Sequence, residues 1–387
     1  MAREIIVFNN GVVTEEGISG SDNRALNWSR IWSETNRVTL VLPRGGDTRY
    51  QGHKADKVST NNKVLVNPSP VRLLVEYVGC TLRAIRKTAR ILDEKSLIYS
   101  SSDLFPDSFP ALLLKYLNRH NPHVKLVIGC HLIAPNPFVG YTRKRRILSL
   151  MNLYHFSIQT FVLFCAKKLA DKVLVSNELD KIFLTKKKGF RQHQVLVTYG
   201  GVDFDKVEKA MGGEKVYDAI FVGRVHPQKG IDDLMQAWKK ICSEKSNARL
   251  AILGRMDTFF EVREEITSLG LAKNVEFVNY LEGVEKYTLI KSSRILIFPS
   301  HYESFGMVAL ESLACGVPVV AYDLDVYREV FGGKLITVPC GDSCALAEAV
   351  LSNLNLWQDT DFTRGLKQFS RKFSFQNTAK TICEGMF

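Results

Sequence analysis

The sequence predicts an α/β protein of two domains, each a parallel sheet wound with helices, the two facing across a cleft. Three observations predict it. The chain has 387 residues, too many for one ordinary core and comfortable for two. Short Val- and Ile-rich runs alternate with stretches of helical length and composition, the pattern of a parallel sheet with right-handed crossovers. The runs are continuously apolar rather than alternating, which implies burial on both faces.

In the first half, strands are expected at 5–8, 38–42, 64–66, 97–99, 126–128, 173–175 and 195–198. Helices are expected between them, notably at 24–34, 71–92 and 109–119. The charged start and short apolar run 5–8 fit a first buried strand better than a secretory leader, whose apolar core is longer. A joining stretch follows around 203–217, with Gly212-Gly213 and several charges, as a linker should have. The second half is clearer. Its expected strands are 219–225, 250–253, 275–278, 295–298, 317–321 and 335–338, with helices at 231–242, 259–269 and 305–315. The division is thus 1–205, 206–374 and a terminal helix at 375–387 that could pack back on the first domain.

Apolar residues make up 45% and charged residues 24%, the balance of a globular protein. Eight cysteines are scattered, mostly in apolar runs, and the close pair Cys340 and Cys344 has no second pair to complete a metal site. They read as reduced, buried thiols of a cytoplasmic protein. Residues 1–205 carry 30 Lys+Arg and 17 Asp+Glu, net +13, whereas 206–387 carry 22 and 23, net −1. The excess is either a solvated surface or a meeting place for something anionic: a membrane, a lipid phosphate or an acidic glycan.

In open parallel sheets, ligands bind beyond the carboxyl ends of the strands, and the chemically pointed residues fall there. After the expected strand 295–298 comes a polar loop with Glu303, then an almost wholly apolar helix stopped by Gly316 and Pro318. Glu311 is that helix's only charge. A buried carboxylate needs partners; the candidates are a neighbouring cation or ligand hydroxyls such as a ribose diol. The helix start at Phe305, Gly306 and Met307 offers free backbone N–H groups beside a glycine, a ready place for a diphosphate. After a strand that ends near Val222, Gly223-Arg224 and Lys229-Gly230 set two cations in one strand–loop–helix turn, where phosphate neutralisation is their natural work.

Together these residues resemble the retaining GT-B glycosyltransferases of family 4, the glycosyl transferases group 1. That family carries G-R-x4-K-G and E-x7-E with an internal S/G-F-G, matched here by Gly223-Arg224 with Lys229-Gly230 and by Glu303-Ser-Phe-Gly with Glu311. The likeness covers about 195–355 strongly and the first half in outline. It implies two Rossmann-like domains in the GT-B arrangement. It implies that Arg224 and Lys229 bind the donor diphosphate and that Glu303 faces the donor sugar. Glu311 would hold the ribose, while Ser304, Phe305, Gly306, Met307 and Val308 supply backbone contacts. Tyr280-Leu281 resembles the segment that touches the base. The run from Gly17 to Arg24 resembles the family's glycine-rich loop, with Gly20-Ser21 where a Gly-Gly pair is usual, and Gly20 is its phosphate-approaching glycine. His131, read alone, is an ordinary structural histidine after a strand; the resemblance sets a His there near the donor sugar. Gly200-Gly-Val-Asp203 resembles the family's N-G-V-D hinge, with Gly200 for Asn.

The implied activity moves a sugar, with retention, from a UDP-sugar in first place or a GDP-sugar in second to a hydroxyl of a glycan or lipid-linked acceptor. It implies no cofactor and no metal. Asp323-Leu-Asp325 has the letters of a metal motif but follows the fifth strand of its domain. Glu303 and His131 stand as the candidate catalytic residues. Residues 143–168 run from a basic cluster through 20 mostly apolar residues to Lys167-Lys168. They read as a buried helix, or as one lying on an anionic membrane at the inner face of the cytoplasmic membrane, sooner than as a span. Alternatives are a non-catalytic nucleotide-sugar-binding protein and a phosphorylase or epimerase on the same scaffold. A nucleic-acid partner is not expected, since no aromatic-basic readout motif accompanies the basic half.

Overall fold

The computed structural model describes residues 3–11, 19–43, 46–50, 52–60, 70–93, 95–138, 140, 150–254 and 260–386. The expected strand at 64–66, Gly17 and the basic cluster at 143–146 lie outside them. The chain forms two compact units, the first running to Tyr199 and resuming at Phe375, the second covering Gly200–Ser374.

In unit 1 the strands are β1 (Glu4–Phe8), β2 (Arg37–Leu42), β3 (Asp56–Ser59), β4 (Ser96–Ser100), β5 (Lys125–Gly129), β6 (Lys172–Val175) and β7 (Val195–Val197). Among the described residues they make one parallel sheet in the order β3-β2-β1-β4-β5-β6-β7. Its helices are α1 (Gly20–Trp32), α2 (Pro70–Thr88), α3 (Phe105–Leu117), α4 (Leu150–Leu169) and α5 (Glu178–Ile182). The central strands are buried along their whole length, as unbroken apolar runs require.

Unit 2 begins with α6 (Phe204–Lys209). Its parallel sheet has the order β10-β9-β8-β11-β12-β13 among the described residues, from β8 (Tyr217–Val222), β9 (Leu250–Leu253), β10 (Val275–Val278), β11 (Ser293–Phe298), β12 (Val319–Tyr322) and β13 (Ile336–Val338). Helices α7 (Ile231–Glu244), α8 (Phe260–Ser268), α9 (Gly283–Lys291), α10 (Met307–Ala314), α11 (Asp325–Phe331), α12 (Ser343–Asn353) and α13 (Thr360–Ser370) surround it. Its core packs Trp238, Leu234 and Ile241 of α7 and Leu346 and Val350 of α12 against Phe221, Ile252 and Ile297 of the sheet.

The last helix, α14 (Phe375–Met386), belongs to unit 1. It buries Phe375, Ala379 and Ile382. Two indole N–H groups of α1 hold it: Trp28 Nε1 donates to Thr378 Oγ1 at 2.8 Å and Trp32 Nε1 to the Ala379 carbonyl at 3.4 Å.

Two helices start away from where the apolar pattern places them. Helix α1 begins at Gly20 rather than at 24, because Ser19 and Asp22 form a capping box. Ser19 Oγ accepts from Asp22 N, and Asp22 Oδ2 accepts from Ser19 N, both at 3.1 Å. Helix α10 begins at Met307, because Gly306 has φ 94°, outside the helical region. The cysteines divide. All eight are free thiols, but Cys340 and Cys344 are exposed, contrary to the burial expected of them. Cys340 follows β13 in a turn, and Cys344 opens α12.

Candidate functional site

The two motif loops of unit 2 are one construction. Strands β8 and β11 are neighbours, so the loops leaving their carboxyl ends lie side by side. The β8 loop closes in a tight turn, Pro227–Lys229, in which His226 Nδ1 accepts from Gln228 N at 3.1 Å. Gln228 then stitches the loops together. Its Nε2 donates to the Tyr302 carbonyl at 2.8 Å, and its carbonyl accepts from His301 N at 2.8 Å. Gly230 follows at φ 69°, and a Cβ there would stand 2.1 Å from the Pro299 carbonyl oxygen. Only glycine allows this approach.

The approach brings Lys229 to Glu303. The ammonium donates to Glu303 Oε1 and lies 5.6 Å from the centre of the Phe298 ring. The Lys229 and Glu303 side chains are 17% and 12% exposed, partly desolvated but reachable. Arg224 stands exposed on the same loop. His226 has its pKa lowered by burial and by the nearby charges of Arg224 and Lys229, a sign of concentrated positive potential.

Next comes the start of α10. Phe305 is buried against Phe331 and Phe373, with ring centres 5.9 and 5.7 Å away. Gly306 fits beneath the Tyr327 ring, where a Cβ would come within 3.2 Å. No side chain caps the helix, so the N–H groups of its first turn, at Met307 and Val308, begin it without that partner. Gly200 packs on the same corner: a Cβ there would fall 2.3 Å from Met307 Sδ and 2.4 Å from the Phe305 ring. One helical turn on, the Glu311 side chain is 4% exposed and accepts from Lys286 Nζ of α9 at 2.6 Å. A neighbouring cation therefore stands beside this acid, and it is a lysine. Tyr280, between β10 and α9, donates its hydroxyl to Glu282.

In unit 1, Gly20 opens α1 and His131 follows β5 by two residues. His131 is 5% exposed, with its ring edge-on to Trp28 at 6.0 Å. Gly129 makes room for it, since a Cβ there would lie 2.7 Å from His131 Nε2. Ser176, just past β6, joins two elements: its Oγ accepts from Arg24 Nη2 at 3.2 Å and donates to the His131 carbonyl at 3.2 Å. Burial, then the Arg24 charge, pushes the His131 pKa well below its usual value, so the ring is neutral. Arg24 is itself buried, its other bond going to the Gly20 carbonyl at 3.3 Å, and no ion pair to it occurs among the described residues. Burial lowers its pKa to about 10.

Lys286 lies outside every motif, and Arg24 closes the Gly17–Arg24 run without being singled out in it. Neither has a spacing signal; each is picked out only by what it packs against. Asp323 and Asp325 both pair with Arg328, the second at 2.9 Å.

Residues 204–371 match the family described as Glycosyl transferases group 1. Among curated proteins, the chain is 33% identical over 165 residues to an uncharacterized glycosyltransferase of Methanocaldococcus jannaschii, 42% of each. It is 28% identical over 169 residues to O-antigen chain mannosyltransferase B of Escherichia coli, 42% of this chain and 44% of that one. It is 34% identical over 141 residues to phosphatidyl-myo-inositol mannosyltransferase of Mycobacterium leprae, 35% and 36%. The match thus spans less than half the length of these relatives. Among solved structures, HepE of Anabaena in complex with UDP and glucose superposes with a TM-score of 0.72 at 18% identity, over 98% of both chains. TarM does so with 0.74 at 11%, over 100% and 99%. At such identities the likeness speaks for the fold, which is the GT-B fold of two parallel-sheet α/β domains.

Proposed function

We propose that this chain, whose second unit is a glycosyl transferases group 1 domain, transfers a sugar from a nucleoside diphosphate sugar to an acceptor hydroxyl. One observation carries the reading. The stitched loops of unit 2 set Lys229, Glu303 and the uncapped start of α10 together beyond the carboxyl ends of adjacent strands. That is a place for a diphosphate with a sugar attached. A leaving diphosphate gains negative charge, and the amides of Met307 and Val308, Lys229 and the exposed Arg224 are the groups that stabilise it. Glu303, released from Lys229 as the ammonium turns to phosphate, positions the sugar. Glu311 takes the ribose hydroxyls. The roles of Gly20 beside the phosphate and of His131 beside the sugar belong to the same proposal.

Within it, the donor is a UDP-sugar, with a GDP-sugar second, the acceptor is a glycan or lipid-linked hydroxyl, and the configuration is retained. UDP bound by HepE supports a uridine nucleotide as the donor's carrier. The charge-stabilising groups named above are all side chains and amides of the chain, so the reaction is written without a metal. Purified protein is offered UDP-, GDP- and ADP-sugars with EDTA present, and nucleoside diphosphate release is measured beside Glu303→Gln and Glu311→Ala. Release from one donor, weakened in both variants, supports the reading. Binding without release in any condition favours a non-catalytic nucleotide-sugar protein. Release abolished by EDTA overturns the metal-free part.

The basic first unit meets an anionic membrane surface, in a cytoplasmic, peripheral location. On α4, Phe161 and Phe164 are 47% and 61% exposed. Phe164 also lines a cavity of about 450 Å³ with Lys167, Lys168, Gly189, Arg191 and Gln194. No helix among the described residues is long and apolar enough to cross a membrane, so contact would be made from one side. Exposed phenyl rings, one of them with Lys168 at its face and Lys167 and Arg191 lining the same cavity, suit an anionic interface. Sedimentation with phosphatidylglycerol vesicles, but not phosphatidylcholine vesicles, and its loss in Phe161→Ser/Phe164→Ser supports this; equal binding to both overturns it.

A further inference from the structure

Glu311 is a half-satisfied carboxylate. Its side chain is 4% exposed on an otherwise apolar helix, and one oxygen, Oε1, accepts from Lys286 Nζ at 2.6 Å. Among the described residues no bond reaches Oε2. A carboxylate held this far from water calls for several hydrogen bonds. One oxygen is fixed and the other is left for a visitor.

The cation that fixes it is firmly placed. Lys286 sits on α9, whose next residue, Tyr287, is 4% exposed, its carbonyl 4.0 Å from Cys315 Sγ at the end of α10. At the other end of α9, Lys291 Nζ donates to the carbonyls of Val207 and Ala210 at 2.7 and 2.8 Å, tying α9 to α6. Helix α9 therefore cannot drift without disturbing two neighbours. Lys286 is 19% exposed, so its ammonium reaches the edge of the same site. An ion pair in such a place is a poor stabilising device, since well-packed apolar side chains of similar volume do as well or better. Its value lies in orientation.

We propose that Lys286 is a positioning residue: it pins Glu311 Oε1, so that Oε2 faces the ribose of the bound nucleotide and reads its hydroxyls. The inference rests on the donor reading above and deepens it. It makes the Lys286–Glu311 pair the element that separates ribonucleotides from deoxyribonucleotides, apart from the Lys229–Glu303 pair, which serves the diphosphate and sugar. Without Lys286 the carboxylate is free to rotate toward any donor left nearby, and the hydroxyl contact is lost while the diphosphate contacts remain.

The experiment is calorimetric titration of the full chain with UDP, GDP and ADP, each against its 2′-deoxy form. The wild-type protein is expected to prefer the ribonucleotide by about tenfold or more, the size of one hydrogen bond to a charged group. Lys286→Met is expected to bring that preference close to unity, and Lys286→Arg to restore most of it. In a Glu311→Gln background, Lys286→Met should change the preference no further. Thermal melting accompanies each variant; should Lys286→Met fail to fold, the Glu311→Gln/Lys286→Met double variant and Lys286→Arg carry the comparison. Undiminished ribose preference in Lys286→Met, or an equal effect of Lys286→Met with and without Glu311, overturns the inference and leaves the donor reading standing. Binding of none of the three nucleotides by the wild-type protein overturns both.

Discussion

Replacing Gly230 by alanine adds one methyl group at the joint between the two motif loops. The residue has φ 69°, and the new Cβ would stand 2.1 Å from the Pro299 carbonyl oxygen and 3.0 Å from its carbon. Left-handed backbone costs a residue with a Cβ about 1–2 kcal/mol. Overfilling a packed contact costs about 1–3 kcal/mol more, so the sum is roughly 2–5 kcal/mol. For a domain of this size, 1 kcal/mol moves the melting temperature by about 2–4 °C. A loss near 3 kcal/mol is therefore a fall of roughly 6–12 °C. Function should suffer beyond stability. The carbonyl must retreat by roughly 1 Å to reach an ordinary contact, and it carries the loop that holds Glu303 against Lys229. A displacement of that size at a reacting centre costs about a hundredfold in rate. The assay is thermal denaturation followed by circular dichroism, with donor hydrolysis on the folded fraction. Gly213→Ala is the control, since a Cβ there meets nothing within 4 Å. A Gly230→Ala protein that melts within about 1 °C of its parent and hydrolyses donor at the parental rate refutes the argument.

Three further outcomes are expected. His131 is buried neutral, with its folded pKa below the 6.5 of the free side chain, so the unfolded chain binds the extra proton and stability falls as pH drops below 6.5. His131→Gln should flatten that fall by up to about 1.4 kcal/mol per pH unit, read from urea midpoints at pH 5 to 7. Arg24→Met should keep or raise the melting temperature, because it removes a buried cation that has neutral partners only; a loss above about 2 kcal/mol would show that the bonds to Gly20 and Ser176 outweigh desolvation. Under native conditions iodoacetamide should label exposed Cys340 and Cys344 first. Cys130 and Cys315, whose thiol pKa values burial raises (for Cys315 to about 12), should label only as the protein opens, as peptide mass mapping would show.

What was legible in the sequence, and what was not, follows from how each feature is encoded. Strands such as β4, β8, β9 and β11 announce themselves because double-sided burial demands an unbroken apolar run, and such runs can be read locally. Strand β3 did not, because among the described residues it is an edge strand: Asp56–Ser59 is mostly exposed and pairs there with β2 alone. An edge is held by hydrogen bonds rather than burial, so its composition is free to be polar. Helix α1 was placed late because its start depends on Ser19 and Asp22, a cap written in two polar letters rather than in periodicity. The start of α10 at Met307 depends on one glycine's φ.

The candidate site divides in the same way. Its acids could be named because a carboxylate in an apolar helix, or in a loop beside a glycine-led helix start, is locally anomalous. Their cations could be named only where they lie in a motif of their own. Lys229 does, standing next to Gly230. Lys286 does not; it is one lysine among many until the fold lays α9 against α10. Yet its existence could have been inferred. A buried ionised group obliges the protein to supply a counter-charge or several donors, so finding Glu311 in an apolar helix implies a partner somewhere. The sheet order narrows where to look. Helix α10 follows β11, and α9 directly precedes that same strand, so the two helices flanking one strand are neighbours. Among the charged residues of α9, Lys286 lies about one and a half turns before Lys291, which caps α6. Lys291 is thereby committed elsewhere, which leaves Lys286 as the cation of α9 that meets Glu311. Arg24, by contrast, is a buried cation whose described partners are neutral. The charge balance of unit 1 is thus incomplete there in a way that the balance around Glu311 is not.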